Sequence, residues 1–252
     1  MSAAIHPAGP PQPADPYHAG VRPRDAASMV VVRADRDATR VLMGTRHHGH
    51  RFMPGKVVFP GGRVDRADYG VRGAGTLQAA TRALLVERMR GRASEQRARA
   101  IALASIRETY EETGVLIGCR AKPHVLPRGN GAWGDFLRHG IAPDLAPLRL
   151  IARAITPPGH VRRFDTRFFL TTADAVAGET EPPSDELASL SWLTFEEARR
   201  CDIPAITAMV LDIAERRSRA PTAGPADMRA PFFHWRHGRC VLDEIAIAGS
   251  GA

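Results

Sequence analysis

The residues with the clearest chemical consequence are Glu108, Glu111 and Glu112, in the run Arg107-Glu108-Thr109-Tyr110-Glu111-Glu112-Thr113-Gly114-Val115. On a helix these acids stand at i, i+3 and i+4, so their carboxylates project from one face within ~6 Å of one another. Like charges that close repel, and a hard divalent cation held by carboxylate oxygens relieves the repulsion. Mg²⁺ or Mn²⁺ suits such a set; zinc does not, because no His or Cys accompanies it. The competing reading is a solvated charged face braced by intrahelical pairs such as Arg107 with Glu111.

A helix must therefore position these acids, and its ends are marked. Ser94 can cap the start, Glu95 suits the positive end of the dipole, and Gly114 can take the left-handed conformation that closes it, which predicts a helix over about 94–113. A preceding amphipathic helix over Thr76 to Arg90 follows from Leu77, Ala80, Leu84, Leu85 and Met89, and ends at Gly91. Two β-rich runs, Ser28 to Arg33 and Val41 to Arg46, form a hairpin across a polar turn, and a short run Val57-Val58-Phe59 stops at Pro60-Gly61-Gly62. Downstream, 149–156, 164–171 and 188–194 read as strands and 196–200 and 206–217 as helices. A closing hairpin pairs Phe232–Trp235 with Cys240–Ile245 through His237-Gly238. Strands and helices interleave without a regular βαβ repeat, so the fold class is α/β, a mixed sheet with helices on both sides.

The chain has 252 residues and 27.3 kDa, is 44% hydrophobic and 25% charged, and so is an ordinary globular sequence. No stretch approaches the ~20 apolar residues that cross a bilayer, and the first residues lack the apolar core of a secretory signal; a soluble cytoplasmic protein without membrane partners is expected. Cys119, Cys201 and Cys240 lack a CxxC pair and read as free thiols. The formal charge of +8 suits anionic partners, but the arginines are dispersed and only 6% of residues are aromatic, which disfavours nucleic acid. Residues 1–26, rich in Pro and Ala, read as a flexible tail; 27–220 form the main domain, and 221–252 form a C-terminal hairpin extension packed on it.

The acidic run resembles the Nudix hydrolase box, Gly-x5-Glu-x7-Arg-Glu-U-x-Glu-Glu-x-Gly-U with U apolar. Its second half is matched at Arg107, Glu108, Glu111, Glu112, Gly114 and Val115, with Thr109 in place of an aliphatic residue. Its first half is matched at Phe59-Pro60-Gly61-Gly62, followed by Asp68 where the box has Glu. Asp68 and Arg107 are 39 positions apart instead of 8, so a 31-residue insertion that includes the first predicted helix, about 69–99, splits the box. The resemblance implies a Nudix-type α/β/α sandwich with a helical insertion inside the box, and a water-driven attack on the diphosphate of a nucleotide linked to a second moiety. It also implies metal ligation by Glu108, Glu111, Glu112 and the Gly61 carbonyl. Glu111, Glu112 and Arg107 would carry catalysis, Arg107 by holding the glutamates in place. A later glutamate would act as ligand or base; Glu186 is the counterpart, with Glu181 in reserve and a solvated loop acid as the plain alternative. Asp68 would still pair with Arg107.

Leu42-Met43-Gly44-Thr45-Arg46, the pattern Phe-Pro-Gly-Gly-x-x-Asp-x-x-Asp ending at Asp68, Ile155-Thr156-Pro157-Pro158 and the run from Arg162 to Phe169 are similar to the branch that cleaves coenzyme A and acyl-CoA, in particular its larger insertion-bearing type. The resemblance spans about Ala27 to Arg217 and implies a CoA-like small-molecule substrate cut to 3′,5′-ADP and (acyl-)phosphopantetheine. Arg46, Arg51, Arg63, Arg162 and Arg163 would then grip phosphates as a group, although Arg163 could instead pair with Asp165. The acyl end could lie along Leu84, Leu85 and Met89, unless that helix only covers the sheet. His47, His48 and His50 read as a polar loop, and Trp133, Trp192, Phe232, Phe233 and Trp235 as packing residues. No peroxisomal address is expected at residues 249–252. The alternatives are another nucleotide such as ADP-ribose, NADH or capped RNA, or a non-catalytic nucleotide-binding regulator. A homodimer is left open.

Overall fold

The computed structural model describes residues 20–47, 49, 54–121, 131–220 and 228–247. Arg51, His48 and His50 lie outside the described residues, as do most of the tail and residues 221–227.

The central strand, β1 (Arg24–Ala34), is buried over Ala26 to Val32, which is why it reads as a continuous apolar run. Its side chains alternate between two cores, Met29 and Val31 facing one and Val30 and Val32 the other. β2 (Thr39–Arg46) returns antiparallel to it as the expected hairpin, with Val32 opposite Val41. β3 (Val57–Val58) pairs with β2, and β4 (Gly61–Arg63) pairs with β1, so that Gly61 sits opposite Ser28.

The first core is covered by α1 (Ala79–Val86) and α2 (Glu95–Thr113). α2 is built as its sequence predicts: Ser94 Oγ accepts from the Arg97 N–H at 3.2 Å, and Gly114 takes φ 73° with its N–H on the Tyr110 carbonyl. β5 (Val115–Arg120), α3 (Ala132–Arg138) and β6 (Ile141–Pro143) follow, then β7 (Arg149–Ile155), β8 (Phe164–Thr172) and β9 (Val176–Glu179). β10 (Leu187–Thr194) pairs with β2; α4 (Phe195–Arg200) and α5 (Ala205–Ser218) cover the second core. β11 (Arg229–Arg236) and β12 (Arg239–Ala246) close the chain.

The main sheet runs β10-β2-β1-β8-β7-β11-β12, with β1 parallel to β8 and β11 parallel to β7 and the other pairs antiparallel. Helices on both faces of a mixed sheet make an α/β/α sandwich, as expected. Among the described residues no helix is long and apolar enough to cross a membrane.

Several expectations are corrected. β1 opens at Arg24, inside the stretch read as tail, because its parallel pairing with β8 already begins at Arg24 opposite Phe164. The terminal hairpin joins the main sheet through β7 and is not an appendage. The helix expected to Arg90 ends at Val86. Beyond it Arg88 turns to φ 53°, and its carbonyl accepts from the buried Arg153 at 2.8 Å. Leu84, Leu85 and Met89 are buried in the first core, so this helix covers the sheet and offers no surface to an acyl chain. β5, α3, β6 and β9 have no sequence expectation; two of them span only three or four residues, too short for periodicity to mark.

Candidate active site

The split box is rejoined by a turn. Asp65 caps the short 3₁₀ helix Arg66–Tyr69 by accepting from the Ala67 N–H at 3.0 Å, and its own N–H donates to Asp68 Oδ2 at 2.7 Å. That turn delivers Asp68, fully buried, to Arg107 on α2: Arg107 Nε donates to Oδ1 at 2.8 Å and Nη2 to Oδ2 at 3.1 Å. Asp68 therefore takes the pairing expected of the longer glutamate. Trp133 on α3 completes its shell with Nε1–H on Oδ1 at 2.8 Å. The sequence reading has Trp133 as packing only; its partner lies 65 positions away, and no local signal links them.

Held by Asp68 and by the Arg63 carbonyl at 2.9 Å, Arg107 turns Nη1 onto Glu108 at 2.9 Å and Glu111 at 2.5 Å. The Arg107–Glu111 pair of the plain helical reading is thus present inside a larger cluster. Burial weakens the Arg107 charge, but the Asp68 hydrogen bond and the charges of Glu108, Asp68 and Glu111 more than offset it, so the guanidinium is held above its ordinary range.

Glu112 is 1% exposed and accepts the Gly61 N–H through Oε2 at 2.8 Å, while its Oε1 is buried without a hydrogen-bond partner. Burial drives its pKa well above the carboxylate range; Glu186 and Glu108 add repulsion, against the Gly61 N–H and Arg46. Glu108 is pushed up to about 7, chiefly by burial, with Arg107 opposing and Glu111 and Glu186 adding repulsion.

Glu186, just ahead of β10, joins the same cluster. Its Oε1 accepts from Arg46 Nη1 at 2.6 Å, and its carbonyl accepts from the His47 N–H at 3.1 Å.

Gly61 is required by backbone contact, and Gly62 faces the end of the Glu108 side chain. A Cβ on Gly61 would lie 2.5 Å from the Ala27 carbonyl oxygen, and one on Gly62 would lie 2.6 Å from the Glu108 carboxylate.

A polar cavity of about 440 Å³ opens over Glu108, Glu111, Glu112, Arg107, Arg63 and Trp133. A second cavity, about 580 Å³ and mainly apolar, meets it at Glu108, Glu186 and Arg63. Arg46, Arg63 and Arg162 line this second cavity. Arg163 is committed elsewhere, to the carbonyls of Thr156 (3.1 Å) and Val21 (2.9 Å). Asp165 is not its partner either, because Arg153 holds that carboxylate in two 2.7 Å bonds. Glu181 is exposed.

The donor set fits a hard cation: oxygens only, one of them buried and unpartnered, and excess carboxylate charge. Among the described residues no three acidic, His or Cys side chains converge closely enough to hold an ion as they stand, since Glu111 and Glu108 both turn to Arg107.

Fold and rejoined box together define a Nudix-type α/β/α fold, in keeping with the resemblance carried by the acidic run. The chain is similar to a Nudix hydrolase structure from Alicyclobacillus acidocaldarius, with a TM-score of 0.60, 28% identity, and 78% of this chain and 93% of that one covered. It is 28% identical over 190 residues to putative nudix hydrolase 7 of Caenorhabditis elegans, covering 69% of this chain and 52% of that protein. To the acyl-coenzyme A diphosphatase NUDT19 of Gallus gallus it is 28% identical over 195 residues, covering 58% of this chain and 52% of that protein. The chain spans about half the length of the curated relatives it matches. No family model matches it.

Proposed function

We propose that this protein is a divalent-metal-dependent Nudix pyrophosphohydrolase acting on coenzyme A or acyl-CoA, releasing 3′,5′-ADP and (acyl-)phosphopantetheine in the cytoplasm. The observation that carries the metal-dependent reading is Glu112 Oε1, buried and unpartnered among Glu108 and Glu186 in a chain with no shortage of arginines. A carboxylate oxygen sealed from water without a hydrogen bond is costly, and a cation removes that cost.

Glu108, Glu111, Glu112 and the Gly61 carbonyl would hold the metal. Mg²⁺ or Mn²⁺, when bound, supplies charge for the phosphate oxygens and lowers the pKa of bound water. Arg107, itself fixed by Asp68, sets the orientation of Glu108 and Glu111. Glu186 is the candidate proton acceptor for the attacking water, kept in place by Arg46. Arg63 lines both cavities and would meet a phosphate oxygen. The name of the Gallus relative and the segments around Arg46, Phe59 to Asp68 and Arg162 support the CoA-like choice.

The experiment is a panel of CoA, acyl-CoA, NADH, ADP-ribose and diadenosine polyphosphates, with and without divalent metal, read by chromatography of products. Metal-dependent release of 3′,5′-ADP from CoA is expected. Turnover of another dinucleotide with CoA untouched would overturn the substrate; binding without turnover of any would make the protein a nucleotide-responsive regulator.

A further inference from the structure

The apolar cavity is larger than the diphosphate chemistry needs, and its walls come from elements outside the box. β8 presents Phe164, Thr166 and Phe168 to it at alternate positions, and β11 presents Phe233 and Trp235 in the same way. These residues form one face of the main sheet. Opposite them, the first turns of α5 contribute Ile206 and Met209, which are only partly buried although they pack on the second core. The cavity begins at Glu108, Glu186 and Arg63 and carries His160 and Arg162 in its lining. Five residues of strand, Phe164 to Phe168, give this part of the wall a length of ~13 Å.

Such a space beside a charged cluster costs free energy when it holds water and repays it when an apolar group fills it. Its described lining contains no Asn, Gln or Asp side chain to read the edge of a base.

Resting on the proposed function, we infer that Trp235 and Met209 are specificity-determining residues: they wall a slot for an elongated aliphatic group carried on the non-nucleotide side of the diphosphate substrate. The diphosphate lies at the junction where Glu108, Glu186 and Arg63 line both cavities. From there the pantetheine arm enters the cavity first, and the aliphatic group on its thiol continues between the sheet and α5, toward the terminal hairpin. This role falls to the hairpin and α5, on the second core, and not to the insertion helix on the first.

The test compares CoA, acetyl-CoA and octanoyl-CoA in two ways: kcat/KM with Mg²⁺, and calorimetric binding in chelator, where no turnover occurs. Trp235→Ala removes one wall and Met209→Trp fills the slot, and each variant is judged by its own octanoyl-CoA to CoA ratio. Each methylene buried is expected to raise kcat/KM and tighten binding about three- to fourfold until the slot is full. That gives the wild type an octanoyl-CoA advantage of about 30-fold or more, which both variants compress to about fivefold or less.

Equal binding and turnover of CoA and octanoyl-CoA, with metal-dependent cleavage of CoA intact, would overturn the inference and leave the proposed function standing. ADP-ribose binding that weakens with Trp235→Ala, while the octanoyl-CoA to CoA ratio stays unchanged, would assign the slot to a base and overturn it as well. Tight octanoyl-CoA binding that both variants weaken, without cleavage of any CoA species, would support the slot and overturn the hydrolase reading.

Discussion

Glu108 offers a test in which metal-free stability and metal affinity move in opposite directions. In the folded chain burial and the neighbouring Glu111 and Glu186 hold its pKa up at about 7, against 4.5 for an ordinary glutamate. Between those pH values the native state keeps a proton that the unfolded chain has released, so stability falls as pH rises through the window. At ~1.4 kcal/mol per tenfold change in proton affinity, the loss is bounded at roughly 3 kcal/mol above pH 7. Glu108→Gln keeps the shape and cannot ionise. In chelator the variant should match the wild type within ~0.5 kcal/mol at pH 5 and exceed it by about 1–3 kcal/mol at pH 8. Saturating Mn²⁺ at pH 8 should close or reverse the gap, since a ligand at a hundred times its Kd adds ~2.7 kcal/mol to the native state and the variant lacks one donor. Urea unfolding followed by tryptophan fluorescence at pH 5, 6, 7 and 8 measures this directly. Parallel stability curves for the two proteins in chelator would refute the reasoning, because they would mean Glu108 titrates alike folded and unfolded.

Other perturbations follow from the same geometry. Asp68→Ala strands the buried Arg107 guanidinium and the Trp133 indole N–H; denaturation should show a loss of about 3–5 kcal/mol, with hydrolysis lost as Glu108 and Glu111 drift. Asp68→Glu restores the residue usual in the box yet adds a methylene at a fully buried site, and should cost about 1–3 kcal/mol by the same assay. Gly62→Ala pushes against the flexible Glu108 carboxylate and not against backbone, so thermal melting should change little while metal affinity, read by titration, falls about 10- to 100-fold. Asp165→Asn removes the counter-charge of Arg153 and Arg167, both 1% exposed, and should cost about 3–5 kcal/mol in urea unfolding.

The acidic helix was legible because its signals are local: Ser94, Gly114 and the spacing of three glutamates are each read within one or two turns. The turn that carries Asp68 has no counterpart in the sequence expectations, although Asp65 and Asp68 stand three apart as a capping pair does. What the sequence left hidden depends on contacts between distant positions. Trp133 reaches Asp68 from a helix of seven residues, Arg46 meets Glu186 across 140 positions, and Arg163 donates to carbonyls where the sequence suggests a phosphate or Asp165. The insertion helix ends earlier than its apolar spacing predicts: that spacing continues to Met89, while the Arg88 carbonyl accepts from the buried Arg153. The apolar slot had no local signature at all, because β8, β11 and α5 each supply only alternate or spaced residues to it.

The central claim is that Glu108, Glu111 and Glu112 are neighbours because a divalent cation belongs among them. Titration of Mn²⁺ followed by the paramagnetic resonance signal of the free ion tests this without substrate. The wild type at pH 8 should remove the free signal at a defined stoichiometry, and the Glu108→Gln, Glu111→Gln, Glu112→Gln triple variant should not, while keeping a cooperative urea transition. Equal uptake by both proteins, or none by either, would contradict the account.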